Sequence, residues 1–238
     1  MDKLMLLNRM VLALDDMEPD QIGELIAALA HNDLLPWSFK VNDRWVESGK
    51  QTVPMLRLAA GGAHVRVLAD LKLSDTPKTM SASARRVREA GAVALTIHAS
   101  CGLDSIKAAL EHGPAEIIAV TLLTSINRMN CLALYGREPI EQVKIFAKYA
   151  LESGVGNLVC SGEEVATLHE MYPGIGLLVP GVRMPGSDLR GQKRITTPWD
   201  AFNNGATRIV VGSEVTMAKD PVATFENLLA ETEKHVEF

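Results

Sequence analysis

Three charged residues in and just after one short apolar run are the strongest candidates for chemistry in this chain. The run begins at Val67 in the pattern of a buried parallel strand, and Asp70, Lys72 and Asp75 follow before Pro77. Side chains alternate along a strand, so Asp70 and Lys72 share one face. Proline cannot donate to a sheet ladder, so the strand ends near position 74 and Asp75 lies at or beyond its carboxyl end. Because parallel-sheet proteins carry their chemistry at that end, the pattern indicates a charge-based catalytic site, with a structural ion pair as the alternative.

Polar residues also follow other apolar runs that are suited to buried strands. They are Asp15, Lys40, His98, Ser125, Gln192 and Ser213. In a parallel barrel such positions converge on one face, so together they predict a catalytic cavity. Single residues have structural explanations as well, since Asp15 can cap a helix, His98 can be a structural histidine and Ser125 can close a turn. Lys40 lies within a short apolar run and must therefore reach water or a carboxylate.

Eight apolar runs alternate with helical patterns along the chain. The predicted strands cover residues 10–14, 37–41, 67–74, 93–97, 117–123, 157–160, 175–179 and 208–211. The helical patterns between them include residues 43–60, 78–90 and 103–111. A capping-box spacing at residues 161–164 predicts a helix that begins at once, and Pro198 and Pro221 each predict a first helical position.

The repeated strand–helix units decide the fold class. Eight of them in 238 residues match a (β/α)8 TIM barrel, which is typically ~250 residues long, with its active site at the carboxyl-terminal ends of the strands. No linker or composition break divides the chain, so a single domain over residues 1–238 is predicted. A doubly wound open sheet is the alternative, but no Gly-x-Gly-x-x-Gly motif follows the first strand.

The overall composition excludes several classes of protein. A net charge of −5 and the lack of any basic run argue against nucleic-acid binding. No apolar run approaches the ~20 residues that a membrane-spanning helix needs. The three cysteines are widely separated and lack metal-ligand spacing, which is typical of reduced thiols in a cytoplasmic protein.

The motif Asp-x-Lys-x-x-Asp-x-Pro-x-Thr at residues 70–79 resembles the signature of the orotidine 5'-monophosphate decarboxylase family, in its bacterial branch. Further similar segments occur in the same order along the chain. They are residues 12–15, 39–41, 97–100, 120–125, 159–161 and 180–194. The resemblance therefore covers most of the sequence, and it implies a TIM barrel that decarboxylates orotidine 5'-monophosphate to UMP without a cofactor or metal.

The resemblance also implies the catalytic group. Lys40, Asp70, Lys72 and Asp75 are expected to form the family's alternating charged network, with Asp75 reaching the neighbouring subunit's site in a homodimer. The Lys72 ammonium is expected to face the carbanion that forms when CO2 leaves C6, and then to protonate it.

The same resemblance implies contacts to the nucleotide. Asp15 and Lys40 are expected to hold the ribose hydroxyls with help from Thr79, and Ser125 is expected to hydrogen-bond the pyrimidine ring. Gln192 is expected to link the ring to the phosphate.

The phosphate end departs from the family pattern. Backbone groups of Gly212 and Ser213 are expected to meet the phosphate, but the family ordinarily has arginine at the position of Ser213. Losing a charge-assisted contact of that kind ordinarily costs about 1.5 to 3 kcal/mol or more. Candidates for the missing charge are Arg183 and, in the loop that follows, the cations at positions 190, 193 and 194.

Two other functions stay open at this point. A related decarboxylase or aldolase could act on a sugar phosphate through a magnesium-stabilised enediolate, but such enzymes usually carry an acidic residue where this chain has Lys40. Ser213 suggests a catalytically silent relative that binds a nucleotide or a protein partner, although the intact charged network argues against it. A second departure, the polar segment Asn42–Trp45, follows Lys40 where the family is usually less polar.

Overall fold

The computed structural model describes residues 2–62, 64–187 and 196–236. Within them, eight parallel strands pair in sequence order, and the last pairs with the first to close a barrel. The strands are β1 (Met10–Ala13), β2 (Ser38–Val41), β3 (Val67–Leu73), β4 (Ala94–His98), β5 (Glu116–Val120), β6 (Asn157–Val159), β7 (Gly176–Val179) and β8 (Arg208–Val211). The prediction of a (β/α)8 TIM barrel is therefore confirmed.

Helices connect the strands around the outside of the barrel. Within the described ranges they are α1 (Lys3–Leu7), α2 (Pro19–His31), α3 (Asp43–Ser48), α4 (Thr52–Ala59), α5 (Pro77–Glu89), α6 (Leu103–His112), α7 (Arg128–Tyr135), α8 (Pro139–Glu152), α9 (Val165–Met171), α10 (Pro198–Asn203), α11 (Ser213–Thr216) and α12 (Pro221–His235). The prolines predicted to open α10 and α12 do so, and the preceding Thr197 and Asp220 side chains accept backbone N–H groups as N-caps. In the described part of the chain, none of the helices combines the length and apolar character needed to cross a bilayer.

Several predicted boundaries were wrong. The helix expected over residues 43–60 is divided at Gly49, whose φ of +50° ends α3 and leads through a 3-10 turn into α4. The strand expected to reach residue 123 ends at Val120. The capping-box spacing does not start a helix at once: Glu164 accepts the Ser161 N–H at 2.6 Å across a turn, and α9 begins only at Val165.

Two apolar layers hold the barrel together. The larger one lies between the strands and the helices, and it includes outward-facing strand residues such as Leu12 and Leu95. The smaller one fills the barrel interior, where Val11, Leu68 and Ile118 pack together. This alternation follows the two-residue period of the strands. Because the interior is filled, the chemistry must be carried above it, at the carboxyl ends of the strands.

Candidate active site

A cavity of about 380 Å³ opens at the carboxyl-terminal end of the barrel. Its floor includes Leu68, Leu178 and Val210, which belong to the apolar filling of the barrel. Seven residues that the sequence predicted for the site line it: Asp15, Lys40, Asp70, Lys72, Arg183, Gly212 and Ser213. Most of them lie at or just after strand ends, because a buried strand places its side chains in the cavity only where the apolar filling stops.

The charged residues form one connected group. Asp70 accepts both ammonium groups on the same oxygen: its Oδ2 lies 2.7 Å from Lys72 Nζ and 3.1 Å from Lys40 Nζ. Lys40 also donates to Asp15 Oδ2, which extends the group from β3 through β2 to the end of β1. Of the two partners expected for Lys40, water or a carboxylate, the structure shows carboxylates. The four side chains alternate in sign across three neighbouring strands.

The charges determine the protonation of the central carboxylate. Burial alone would raise the pKa of Asp70, but the charges of Lys40 and Lys72 and hydrogen bonds from Lys72 and Thr96 outweigh it and lower the pKa below its usual value. Burial would lower the pKa of Lys40, yet the charges and hydrogen bonds of Asp70 and Asp15 raise it. Lys40 and Asp70 therefore each favour the charged form of the other.

His98, the last residue of β4, borders this group. Burial, followed by the positive charge of Lys72, lowers the pKa of His98 against an opposing effect of Asp70. The imidazole therefore favours its neutral form beside the lysine.

Strand β3 is irregular where it carries the two charges. Its pairing with β4 shifts register between Ala69 and Leu73. Within this bulge Lys72 has a φ of +48°, a conformation that a residue other than glycine rarely adopts. Strain of this kind costs on the order of 1 to 3 kcal/mol and is typical of functional sites.

The far side of the cavity carries the Arg183 guanidinium. Arg183 is buried, and its Nη2 donates to Ser213 Oγ at 3.1 Å while Nη1 donates to the Val182 carbonyl at 2.8 Å. Its Nε is buried and has no hydrogen-bond partner among the described residues. Ser213, which follows Gly212, opens the short helix α11 at the end of β8. The guanidinium therefore faces the position where the family pattern would place an arginine.

Four predicted residues of the described chain lie outside the cavity lining: His98, Asp75, Thr79 and Ser125. Asp75, Thr79 and Ser125 are exposed, and the Asp75 carboxylate accepts the backbone N–H of Thr76 at 2.7 Å. Within one chain, the Lys72 ammonium is thus held by Asp70 and not by Asp75. Gln192 lies outside the described residues, as do positions 190, 193 and 194 of the same loop.

Two residues that line the cavity, and one that supports it from outside, were not identified from the sequence. Thr124 lines the cavity where the sequence favoured its neighbour Ser125. Thr96 lines it as well and contacts Asp70. Asn42 donates to the Asp70 carbonyl at 2.6 Å. Two signals were available: Thr96 is a hydroxyl residue within an apolar strand, and Asn42 lies two positions after Lys40.

Metal ligands need a cluster of suitable donors. Within residues 2–62, 64–187 and 196–236, no three His, Cys, Asp or Glu side chains are arranged so that they could hold a metal ion together.

A family model described as the orotidine 5'-phosphate decarboxylase / HUMPS family matches residues 8–228 of this chain. The chain belongs to this family. The match extends from just before β1 into α12, so it includes all eight strands of the decarboxylase-family barrel.

Individual relatives agree with the family assignment. The orotidine 5'-phosphate decarboxylase of Synechococcus sp. (strain CC9605) is 34% identical over 92% of this chain and 93% of its own length. That of Thermobifida fusca (strain YX) is 38% identical over 73% of this chain and 76% of its own length. The crystal structure of the Lactobacillus acidophilus orotidine 5'-phosphate decarboxylase covers 94% of this chain with a TM-score of 0.76 at 28% identity.

Proposed function

We propose that this chain decarboxylates orotidine 5'-monophosphate to UMP, the step that forms UMP in de novo pyrimidine biosynthesis. Family membership supports the proposal, and the observation that carries it is the Lys72 ammonium 2.7 Å from Asp70 inside the cavity. An ammonium held in place by a carboxylate is the group that a carbanion without internal delocalisation needs.

The charged group accounts for the chemical step. The bond between C6 and the carboxylate breaks, CO2 leaves, and the electron pair stays at C6. The Lys72 ammonium stabilises that pair and transfers one proton to it, which gives UMP and a neutral amine. The Lys72 side chain is 34% exposed, so water can return the proton and complete the cycle. No oxidant or reductant is needed, because substrate plus one proton gives UMP plus CO2.

Asp70 has two effects in this scheme. It holds the Lys72 ammonium at the reacting carbon, and its own negative charge faces the departing carboxylate. Two like charges in a partly dry cavity disfavour the ground state more than a transition state in which one of them leaves as neutral CO2.

The ribose is assigned to Asp15 and Lys40, at the ends of β1 and β2. Asp15 Oδ1 is buried and has no partner among the described residues, while Oδ2 accepts from Lys40. A free carboxylate oxygen beside an ammonium supplies one acceptor and one donor to a pair of hydroxyls. Binding energy from such remote groups can raise the rate of the chemical step at C6.

Arg183 is the proposed phosphate-binding cation in place of an arginine at position 213. Its guanidinium lines the cavity, and its buried Nε has hydrogen-bonding capacity that the described residues do not use. We expect Arg183→Met to weaken UMP binding about 10- to 100-fold, because a charge-assisted hydrogen bond to phosphate is lost. Titration calorimetry with UMP measures this, and uridine, which lacks the phosphate, serves as the control. Equal weakening for both ligands would contradict the assignment.

The remaining predicted contacts complete the proposal. Ser125 is proposed for the ring, Gln192 for the link between ring and phosphate, and backbone groups of Gly212 and Ser213 for the phosphate. The enzyme is proposed to be cytoplasmic.

A homodimer accounts for the exposed position of Asp75. We assign Asp75 and Thr79 to the site of the neighbouring subunit, since both are exposed outside their own cavity and follow directly after β3. In that case, mixing Lys72→Ala chains with Asp75→Asn chains leaves one intact site in each mixed dimer. We expect about a quarter of wild-type activity after subunit exchange in equal amounts. If each site were built from one chain, the mixture would stay inactive.

An assay with EDTA separates this function from its two alternatives. Loss of orotidine 5'-monophosphate absorbance that persists in EDTA supports the proposed reaction. Metal-dependent turnover of a sugar phosphate would instead identify the related decarboxylase or aldolase activity. UMP binding without either reaction would identify a silent nucleotide-binding protein, the alternative that Ser213 suggests.

A further inference from the structure

The bulge in β3 is held by groups from the strands on both sides of it. On the β4 side, Thr96 is 1% exposed, and its Oγ1 accepts the Lys72 N–H at 2.9 Å and donates to Asp70 Oδ1 at 2.8 Å. On the β2 side, Asn42 Nδ2 donates to the Asp70 carbonyl at 2.6 Å. Neither residue is one of the four charged side chains.

The direction of the Thr96 hydrogen bonds follows from which of the contacting groups can donate and which can accept. A hydroxyl has one hydrogen, and the backbone N–H of Lys72 can only donate, so the hydroxyl must accept from it. The hydroxyl hydrogen is then available for Asp70 Oδ1, which accepts as a carboxylate. With Oδ1 occupied by Thr96, Oδ2 is the oxygen that receives both Lys72 and Lys40.

Thr96 also replaces a missing sheet contact. Where the register shifts, the Lys72 N–H turns away from regular pairing with β4, and a buried N–H without an acceptor is costly. The threonine side chain supplies that acceptor from β4 itself. The unusual conformation at Lys72 and the orientation of Asp70 are thereby coupled through one oxygen atom.

The Asn42 side chain also contacts the bulge, although its position favours a local contact to the helix that follows. It is the N-cap residue of α3, and asparagine is among the best side chains for capping a helix. Its side chain makes no capping hydrogen bond and donates to the Asp70 carbonyl instead. The peptide between β3 residues 70 and 71 is therefore held from β2, while the next part of the bulge is held from β4.

We propose that Thr96 and Asn42 are positioning residues, which hold residues 70–72 in the bulged conformation that directs Asp70 and Lys72 at the reacting carbon. This inference rests on the proposed decarboxylase function. It predicts that losing the Thr96 hydroxyl or the Asn42 amide affects the chemical step much more than substrate binding.

Thr96→Val and Thr96→Ser form a matched pair for the test. Valine keeps the shape and removes the hydroxyl, and we expect kcat to fall about 10- to 100-fold with KM changed less than about threefold. Serine keeps the hydroxyl, and we expect kcat within about threefold of wild type. Wild-type kcat in Thr96→Val, or an equal loss in both variants, would overturn the proposal.

Amide hydrogen exchange tests the hydrogen bond from the Lys72 N–H to Thr96 without substrate. The Lys72 N–H is expected to exchange faster in Thr96→Val than in wild type or Thr96→Ser, as followed by NMR. This result would stand even if wild type failed to decarboxylate orotidine 5'-monophosphate. The proposed function and the positioning role of Thr96 can therefore fail independently. Unchanged exchange at Lys72 in the valine variant would refute the proposal that Thr96 holds this part of the bulge.

Asn42→Leu gives an independent measurement if Thr96→Val does not fold. Leucine has a similar size but no donor, so the Asp70 carbonyl loses its side-chain partner. We expect a fall in kcat of about 10-fold or more, with KM again nearly unchanged. Wild-type kcat in this variant would remove Asn42 from the proposal.

Discussion

The two ends of the barrel both carry charges that are at least partly buried, but they are built differently. At the amino-terminal end, Arg208 of β8 reaches across to Glu116 of β5 with two hydrogen bonds of 2.6 and 3.1 Å, and its guanidinium lies 3.6 Å from the Trp37 ring centroid. At the carboxyl-terminal end, Lys40 and Lys72 share a single oxygen of Asp70.

This difference separates stability from chemistry. The Arg208–Glu116 pair is bidentate and covered by an aromatic ring, an arrangement that satisfies its charges internally. The charged group at the carboxyl-terminal end contains a carboxylate oxygen of Asp15 without a partner among the described residues, and it contains Lys72 in a strained conformation. One end is complete without a ligand, whereas the other has bonding capacity that a ligand can use.

The largest effect is expected for Lys72→Ala. Removal of the proposed proton donor, and with it the charge proposed to face the carbanion, should lower kcat on the order of 10⁴-fold or more. Stopped-flow or steady-state absorbance with orotidine 5'-monophosphate measures this, and circular dichroism checks that the fold is kept. Turnover at the wild-type rate would remove Lys72 from the mechanism. It would also contradict the proposed division between a catalytic and a stabilising end of the barrel.

Asp70→Asn should reduce both activity and stability. It leaves Lys40 buried without its β3 carboxylate, so we expect about 3 kcal/mol less unfolding free energy at pH 7. The pKa of Asp70 is lowered on folding from a usual value of 3.8, so its contribution is present above about pH 4 and is lost as pH falls through the lower folded value. Thermal unfolding between pH 2.5 and 7 should show the gap between variant and wild type narrowing in acid. A gap independent of pH would contradict the ionised state assigned to Asp70.

The smallest effect on activity is expected for Glu116→Gln at the amino-terminal end. The variant keeps the shape and one acceptor but loses the charge opposite Arg208, so we expect about 1 to 2 kcal/mol less unfolding free energy. Urea denaturation measures this change, and kcat should stay within about twofold of wild type. A large loss of activity here would show that the two ends are coupled.

The sequence predicted the fold and the charged group for the same physical reason. Buried strands show as apolar runs, and a charge on such a run has to lie where the apolar filling ends, as Lys40 and Asp70 do. Strand alternation predicted Asp70 and Lys72 on one face, and both line the cavity. The single domain over residues 1–238 and the roles of individual site residues stay predictions.

Other features could not be read from local patterns. The bulge at Lys72 depends on Thr96 from the next strand, which no pattern within residues 67–79 reveals. Thr124 lines the cavity in place of Ser125 because β5 ends at Val120, beyond which strand alternation no longer sets direction. Gly49 interrupts a sequence that otherwise has the period of one helix.

The positive φ at Lys72 bears on attempts to make this protein more heat-resistant. Glycine suits such a backbone conformation best, so selection for thermal tolerance alone should favour Lys72→Gly and remove the amine that we propose as the proton donor. Thermal stability and the proposed catalytic role therefore make opposite demands at position 72. Stabilising substitutions are better placed at the amino-terminal end of the barrel.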